Sequence, residues 1–285
     1  MAFEKRWRVP WPKPSVSGRN KMGRGLRFAI LGLGEAGSAI ARDLVARDVV
    51  VVGYDPAPGK GVAGVPMMGS EAEAAAGADV VLSVNWARVA LDVATRVAPV
   101  LKPGQIYADL NTASPKLKRA LADVIAPTGA LFVDVALMSP VPGRGLSTPS
   151  LASGPGAKNY AEVLIPLGGK VEVVGEEAGL AATRKLLRSV FFKGMAAAAM
   201  EALEAAKRLG LWNEVHDNIA KTLAEADESL ALRLVEGSLR HAHRRWEEMM
   251  AAAELLEELG VEPLMTRAAA AHLAALCARS ADRLA

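Results

Sequence analysis

From residue 26 to about 175, short apolar runs alternate with stretches of helical periodicity. The runs at 28–31, 49–53, 80–84, 106–110, 131–135 and 171–174 are almost continuously apolar, the pattern of strands covered on both faces. Between them, 39–46, 71–76, 89–101, 115–125 and 158–164 place apolar residues at helical spacing. The alternation predicts an α/β fold, a doubly wound parallel sheet wrapped by helices. From Glu176 the texture changes to alanine, leucine and charge, with no strand-like run, and predicts an all-α C-terminal domain. Residues 179–208 lack proline and read as one long helix stopped by Gly210. Further helices are expected at 213–233, 236–259 and 264–282, with Gly237 a candidate break and Gly260 with Pro263 a second. The predicted organisation is a basic, disordered head (1–25), a dinucleotide-binding domain (26–176) and a helical substrate and dimerisation domain (177–285).

The first apolar run opens into Gly32-Leu33-Gly34-Glu35-Ala36-Gly37 and then into a helix. In a strand-to-helix turn, Gly32 permits the tight bend, Gly34 lets a pyrophosphate approach bare backbone, and Gly37 lets helix and strand pack closely. The helix N-terminus then offers free N–H groups and the positive end of its dipole to the phosphates. A Rossmann-type cofactor site is therefore expected, with residues 32–37 lining it.

Composition changes this picture little. The chain has 285 residues, 51% of them hydrophobic, enough for one sizeable core or two smaller ones. A single cysteine, Cys277, excludes an internal disulfide and a cysteine-based zinc cluster, and cytoplasm is the default location. No run approaches the ~18 apolar residues of a membrane span. The formal charge of +3 lies in the head, where eight basic residues face Glu4 alone over positions 1–27. The remaining chain is net acidic, so no nucleic-acid partner is implied.

Chemistry-bearing residues gather where strands end. Asp55, eighteen residues beyond Gly37, can accept hydrogen bonds from the adenosine ribose hydroxyls and would repel a 2′-phosphate, favouring NAD with NADP possible. It can equally begin the turn Asp55-Pro56. Asn85 and Asn111 stand at the ends of the third and fourth strands as cofactor contacts, with Thr112 beside them; Ser114 before Pro115 is an ordinary helix cap. On the long helix, Lys185, Ser189 and Lys193 share one face, flanked by Arg184 and Arg188 within an apolar run. These cations can simply snorkel from a half-buried helix. Alternatively, a lysine held among cations and apolar walls has a depressed pKa and exchanges a proton with a hydroxyl or carbonyl oxygen.

Together these residues resemble the β-hydroxyacid dehydrogenase superfamily, which includes 3-hydroxyisobutyrate and 6-phosphogluconate dehydrogenases. The similarity covers residues 26 to about 210, through Gly32 to Gly37, Asp109 to Pro115, Phe132-Val133-Asp134 and Lys185-Leu186-Leu187-Arg188-Ser189. The resemblance implies that Lys185 is the catalytic acid/base. The family's Ser-Gly-Gly substrate motif falls on Met138-Ser139-Pro140, and its helix asparagine on Ser189. Both departures put the usual substrates in doubt, and Lys193 is the local replacement. Residues 188–194 and 240–249 look like a less characterised branch whose C-terminal domain is a domain of unknown function.

The resemblance thus implies hydride transfer between NAD(P) and a small hydroxy acid. Thr112, Ser139, Ser189 and Lys193 are the candidate substrate contacts. His241 and Arg245 are candidates to reach a substrate anion across a homodimer interface formed by the helical domains. On a helix His241, Arg244, Arg245 and Glu248 share a face, which also reads as a solvated face with an Arg244–Glu248 pair. His241 and His243 diverge by about 200° and cannot chelate one metal, so no metal is expected. An imine reductase on the same scaffold and a non-catalytic dinucleotide sensor are the two rivals.

Overall fold

The computed structural model describes residues 25–281; the predicted head therefore lies outside the described residues except for Gly25. The apolar runs form one seven-stranded sheet in the order β2-β1-β3-β4-β5-β6-β7. Its strands are β1 (Arg27–Leu31), β2 (Val50–Tyr54), β3 (Val80–Ser83), β4 (Ile106–Asp109), β5 (Leu131–Leu137), β6 (Ser150–Ser153) and β7 (Val171–Gly175). The first five are mutually parallel, in registers that align Phe28 with Val51 and Val80, and Ile106 with Val80 and Leu131. β6 pairs antiparallel to β5 and parallel to β7, so the last two strands run against the rest.

The doubly wound, mostly parallel sheet is as expected, with an antiparallel edge added by β6 and β7. β6 was not predicted, because Ser-Leu-Ala-Ser has no β-branched run; pairing on both sides makes it a strand. The parallel set is interleaved with α1 (Glu35–Val45), α2 (Glu71–Ala75), α3 (Ala87–Val97) and α4 (Pro115–Ile125), and α5 (Ala157–Leu164) joins β6 to β7. Alternate residues of β1 enter different cores: Phe28 and Ile30 pack with Ile40, Leu44 and Leu164, whereas Ala29 and Leu31 pack with Val93, Tyr107 and Leu121. This double burial explains the continuous apolar runs. Each fully buried side chain of this size stabilises by about 1.5–3 kcal/mol.

The remaining helices are α6 (Leu180–Arg208), α7 (Trp212–Ala224), α8 (Leu230–Arg240), α9 (Ala242–Glu258) and α10 (Leu264–Ala281). Gly210, at φ 72°, stops α6 as expected, with the Leu211 N–H returning to the Ala206 carbonyl at 2.8 Å. Two helix boundaries differ from the sequence expectation. The stretch 213–233 is divided between α7 and α8, and Asp227 Oδ1 in the intervening turn accepts from the Ser229 N–H and the Arg233 guanidinium. Gly237 lies inside α8 rather than breaking it, and the break falls at His241 (φ −123°, ψ 32°). A Cβ at Gly237 would stand 2.8 Å from the Arg245 guanidinium, so this glycine serves a close approach.

The chain divides within α6 into two compact units, the first reaching Leu187 and the second starting at Arg188. In the second, Glu201 caps α10 by accepting from the Met265 and Thr266 N–H groups at 2.8 and 2.9 Å. Among the described residues no helix is long and apolar enough to cross a membrane.

Candidate dinucleotide and proton-transfer site

The β1–α1 turn is built as its glycines require. Gly32, at φ 105°, donates its N–H to the Tyr54 carbonyl at 2.8 Å, and a Cβ there would stand 2.3 Å from the Val84 carbonyl oxygen. At Gly37 an added Cβ would fall 1.9 Å from the Gly32 carbonyl oxygen. Gly34 is different: it precedes α1 with φ −67°, and a Cβ there would meet nothing within 4 Å. Two glycines therefore serve packing, and the middle one leaves open space at the N-terminus of α1, beside Glu35 and Ala36.

Asp55 follows β2 and binds the turn directly. Its Oδ2 accepts from the Leu33 N–H at 2.7 Å and its Oδ1 from the Ala57 N–H at 2.9 Å. The carboxylate thus begins the Asp55-Pro56 turn and also braces the glycine loop. Each oxygen keeps a lone pair for a further donor.

At the carboxyl ends of β3 and β4 the polar residues form one network. Asn111 is buried, and its Nδ2 donates to Asp109 Oδ2 at 2.6 Å and lies 3.0 Å from Asn85 Oδ1. Asn85 Nδ2 in turn reaches Ser83 Oγ at 3.1 Å. Asn111 Oδ1 is buried without a partner. An orphaned acceptor at this edge, together with the open space at Gly34, fits a dinucleotide lying across the strand ends.

Beneath that network lies a residue the sequence reading passed over. Lys118, on α4, is 1% exposed and sits between Asp109 and Asp134, both fully buried. Its Nζ donates to Asp109 Oδ1 at 2.6 Å and to the Asp109 carbonyl at 2.8 Å, and lies 3.1 Å from Asp134 Oδ1. Lys118 precedes Leu121 and Ile125 by three and seven residues, on the buried face of α4. A charge on an apolar helical face was the available signal. The cap itself matches expectation: Ser114 Oγ accepts from the Leu117 N–H at 3.2 Å with Pro115 at the first helical position.

Asp134 Oδ2 accepts from the Ala182 N–H at 2.9 Å, and Ser153 Oγ from the Ala181 N–H at 3.0 Å, so the start of α6 is held against the sheet. One turn on, Lys185 Nζ donates to Thr112 Oγ1 at 2.8 Å. Lys185 is half-buried, and desolvation together with the nearby Lys118 charge lowers its pKa below the usual lysine range, against an opposing pull from Asp134. Arg184 instead faces Glu172 at 3.9 Å.

The other candidates fall partly in the first unit and partly in the second. Ser139 follows β5, half-buried, with its Oγ 3.4 Å from the Arg144 guanidinium. Ser189 and Lys193 lie further along α6 in the second unit, where the Arg188 guanidinium stands 4.3 Å over the Phe192 ring. His241 occupies the break before α9 rather than a shared helical face. Arg245 is tied to α8 through Ser238 Oγ at 2.7 Å and the Leu234 carbonyl at 3.4 Å. An i,i+4 contact on α9 links His243 to Glu247 at 3.8 Å.

A glycine turn before a dipole-bearing helix, an acidic residue after the second strand and an asparagine pair at the sheet edge define a Rossmann-type nucleotide-binding protein. The chain belongs to the β-hydroxyacid dehydrogenase superfamily, in a branch that pairs its NAD-binding domain with a helical domain of unknown function. Residues 27–145 match the NAD binding domain of 6-phosphogluconate dehydrogenase, and residues 206–276 match a domain of unknown function, DUF1932. A solved conserved protein of unknown function, described as structurally similar to 3-hydroxyacid dehydrogenases, is 32% identical; the alignment covers 88% of this chain and 96% of that one, with a TM-score of 0.59. A Mycobacterium tuberculosis protein named "Probable 3-hydroxyisobutyrate dehydrogenase" is 30% identical over 192 residues, 65% of each chain. An imine reductase from Myxococcus stipitatus, solved with NADP+, shares the fold at 16% identity and a TM-score of 0.76, over 89% of this chain and 94% of that one.

Proposed function

We propose that the protein is an NAD(P)-dependent oxidoreductase acting on the CH–OH group of a small hydroxy acid, with Lys185 as its acid/base. The observation that carries this reading is the Lys185 amine, half-buried at the carboxyl edge of the sheet and hydrogen-bonded to Thr112 at 2.8 Å. A bound nicotinamide supplies the two-electron hydride exchange. In the oxidative direction the neutral Lys185 amine takes the hydroxyl proton as the carbon gives up its hydride, leaving a carbonyl and a lysine ammonium. In the reductive direction the ammonium returns that proton to the carbonyl oxygen. Thr112 orients the amine. Ser139 is proposed to meet the substrate's anionic group.

Because its pKa is lowered, Lys185 carries more neutral amine near pH 7 than an exposed lysine. Oxidation is therefore expected to accelerate with rising pH through that lowered pKa and then level off, and reduction to slow over the same interval. Measuring kcat against pH in both directions checks the pair; parallel profiles would count against a single acid/base.

The decisive experiment is a screen of NAD+ and NADP+ reduction against hydroxy acids, sugar acids and their phosphates. Oxidation of a hydroxy acid is the expected result. Reduction of cyclic imines without any hydroxy-acid oxidation would assign an imine reductase instead, and bound coenzyme with no hydride exchange would assign a sensor.

Asp55 supports NAD over NADP, since a carboxylate after the second strand accepts from ribose hydroxyls and repels a 2′-phosphate. NADH is expected to bind at least about tenfold more tightly than NADPH, and Asp55→Ser to shrink that ratio. Fluorescence titration with both coenzymes reads it.

A homodimer through the helical unit is also proposed. Among the described residues α7 and α8 bury no side chain, and Leu232, Val235 and Leu239 of α8 are 56–60% exposed. Apolar surface of this kind calls for a partner. Light scattering on the eluting protein should give twice the 29.8 kDa chain mass.

A further inference from the structure

We propose that Lys118 is a positioning residue for this site, a buried cation that clamps Asp109 and Asp134 so that each carboxylate holds one arm of the site in place. One arm is Asn111 with Asn85. The other is the first turn of α6, which leads to Lys185.

The clamp follows from the sheet register. Asp109 on β4 and Asp134 on β5 are direct partners in the parallel pairing, and both are fully buried. Two carboxylates side by side without water repel each other, and a cation between them offsets that repulsion. Lys118 supplies that cation, at 2.6 Å from Asp109 and 3.1 Å from Asp134.

Both aspartates act as acceptors, and Lys118 fixes where their oxygens point. Asp109 Oδ2 takes the Asn111 Nδ2 hydrogen at 2.6 Å, which aims the amide so that Oδ1 is left free. Without Lys118 on Oδ1, the Asp109 carboxylate would be free to rotate and would carry the Asn111 amide with it. Asp134 Oδ2 accepts from the Ala182 N–H at 2.9 Å and lies 3.3 Å from Ser153 Oγ, the hydroxyl that accepts the Ala181 N–H. Without Lys118 beside its Oδ1, Asp134 would hold this cap at the start of α6 less firmly.

Stability alone does not explain a lysine here. Burying an ion costs several kcal/mol, and well-packed apolar groups often replace a buried ion pair without loss. Leu121 and Ile125 already line the same helical face. What an apolar residue could not do is offset the repulsion between two neighbouring carboxylates and hold both in place.

The clamp also acts on Lys185. The charged groups facing that amine are Lys118 from α4, which disfavours its protonation, and Asp134 from β5, which favours it, with Asp109 behind Lys118. Removing Lys118 leaves the carboxylates to dominate.

The proposal rests on the reading of Lys185 as the acid/base, so its test uses a readout that needs no turnover. Lys185 is acylated with acetic anhydride across a pH series, the modified peptide is quantified by mass spectrometry, and a free amine serves as the internal standard. In Lys118→Met the half-point of Lys185 reactivity is expected to move to higher pH. Where turnover is measurable, kcat should fall roughly 10- to 100-fold as the two arms lose their alignment. Lys118→Arg, which returns a cation to the same carboxylates, should move the half-point back. If Lys118→Met does not fold, Lys118→Met with Asp109→Asn removes an ion pair as a unit and still leaves Asp134, so the same upward movement is expected. A half-point unchanged in the folded variant, with only the melting temperature lowered, would overturn the clamp. Absence of turnover in the unsubstituted protein, with a Lys185 half-point that still follows Lys118, would overturn the acid/base reading and leave the clamp standing.

Discussion

Lys185→Ala is expected to reduce turnover by about 10²- to 10⁴-fold, the range that general acid/base groups contribute, while leaving coenzyme affinity nearly unchanged. The separation follows from position. The turn proposed to bind coenzyme, Gly32 to Gly37 with Asp55, is braced by its own hydrogen bonds, and the lysine's direct contact is Thr112. The variant should also fold. It loses one hydrogen bond from a half-buried amine, worth about 0.5–1.5 kcal/mol. Lys185→Arg is the sharper control: it keeps the positive charge, but a guanidinium does not deprotonate and cannot serve as a base. Turnover should stay low in both variants. Full activity in either would remove Lys185 from the mechanism, whereas equal losses in coenzyme affinity and kcat would indicate a damaged fold.

The second large effect separates two glycines three residues apart. Gly37→Ala places a Cβ 1.9 Å from the Gly32 carbonyl oxygen, a backbone atom that cannot retreat without moving β1 against α1. A loss of about 3 kcal/mol or more is expected, at or beyond the upper end for overpacking, seen as a large drop in melting temperature. Gly34→Ala adds the same methyl where nothing lies within 4 Å and where φ is −67°, open to any residue. Its stability should stay within about 0.5 kcal/mol of the parent. The methyl instead enters the space proposed for the pyrophosphate, so NADH affinity should fall at least about tenfold with an intact melt. Thermal unfolding and coenzyme titration on both proteins check the contrast. A Gly34→Ala variant that binds NADH normally would show that the open space is not the phosphate cradle.

Much of the fold was legible because burial on both faces of a parallel sheet writes itself as continuous apolar runs. β1 to β4, the glycine turn, the Ser114 cap and the Gly210 stop all arise from local rules, each enforced by a few neighbouring residues. The strand β6 escaped notice for the opposite reason. Its small side chains have little preference of their own, and its state is imposed by β5 and β7. The helix break at His241 was likewise hidden, because Gly237 is the stronger local breaker and the Arg245 guanidinium packed against it is a tertiary contact.

The candidate site divides along the same line. Residues Gly32 to Gly37, Asp55, Asn111, Thr112 and Lys185 were readable as types suited to nucleotide binding and proton transfer, at the ends of strands or on the helix after the sheet. Their order along the chain determined that much. Only the folded sheet brings Asp109 beside Asp134, drives Lys118 of a different element between them, and joins Lys185 to a threonine seventy-three residues earlier. A charge buried between two others has no local signature, since the energy that holds it depends on distances and desolvation that exist only after the strands have paired.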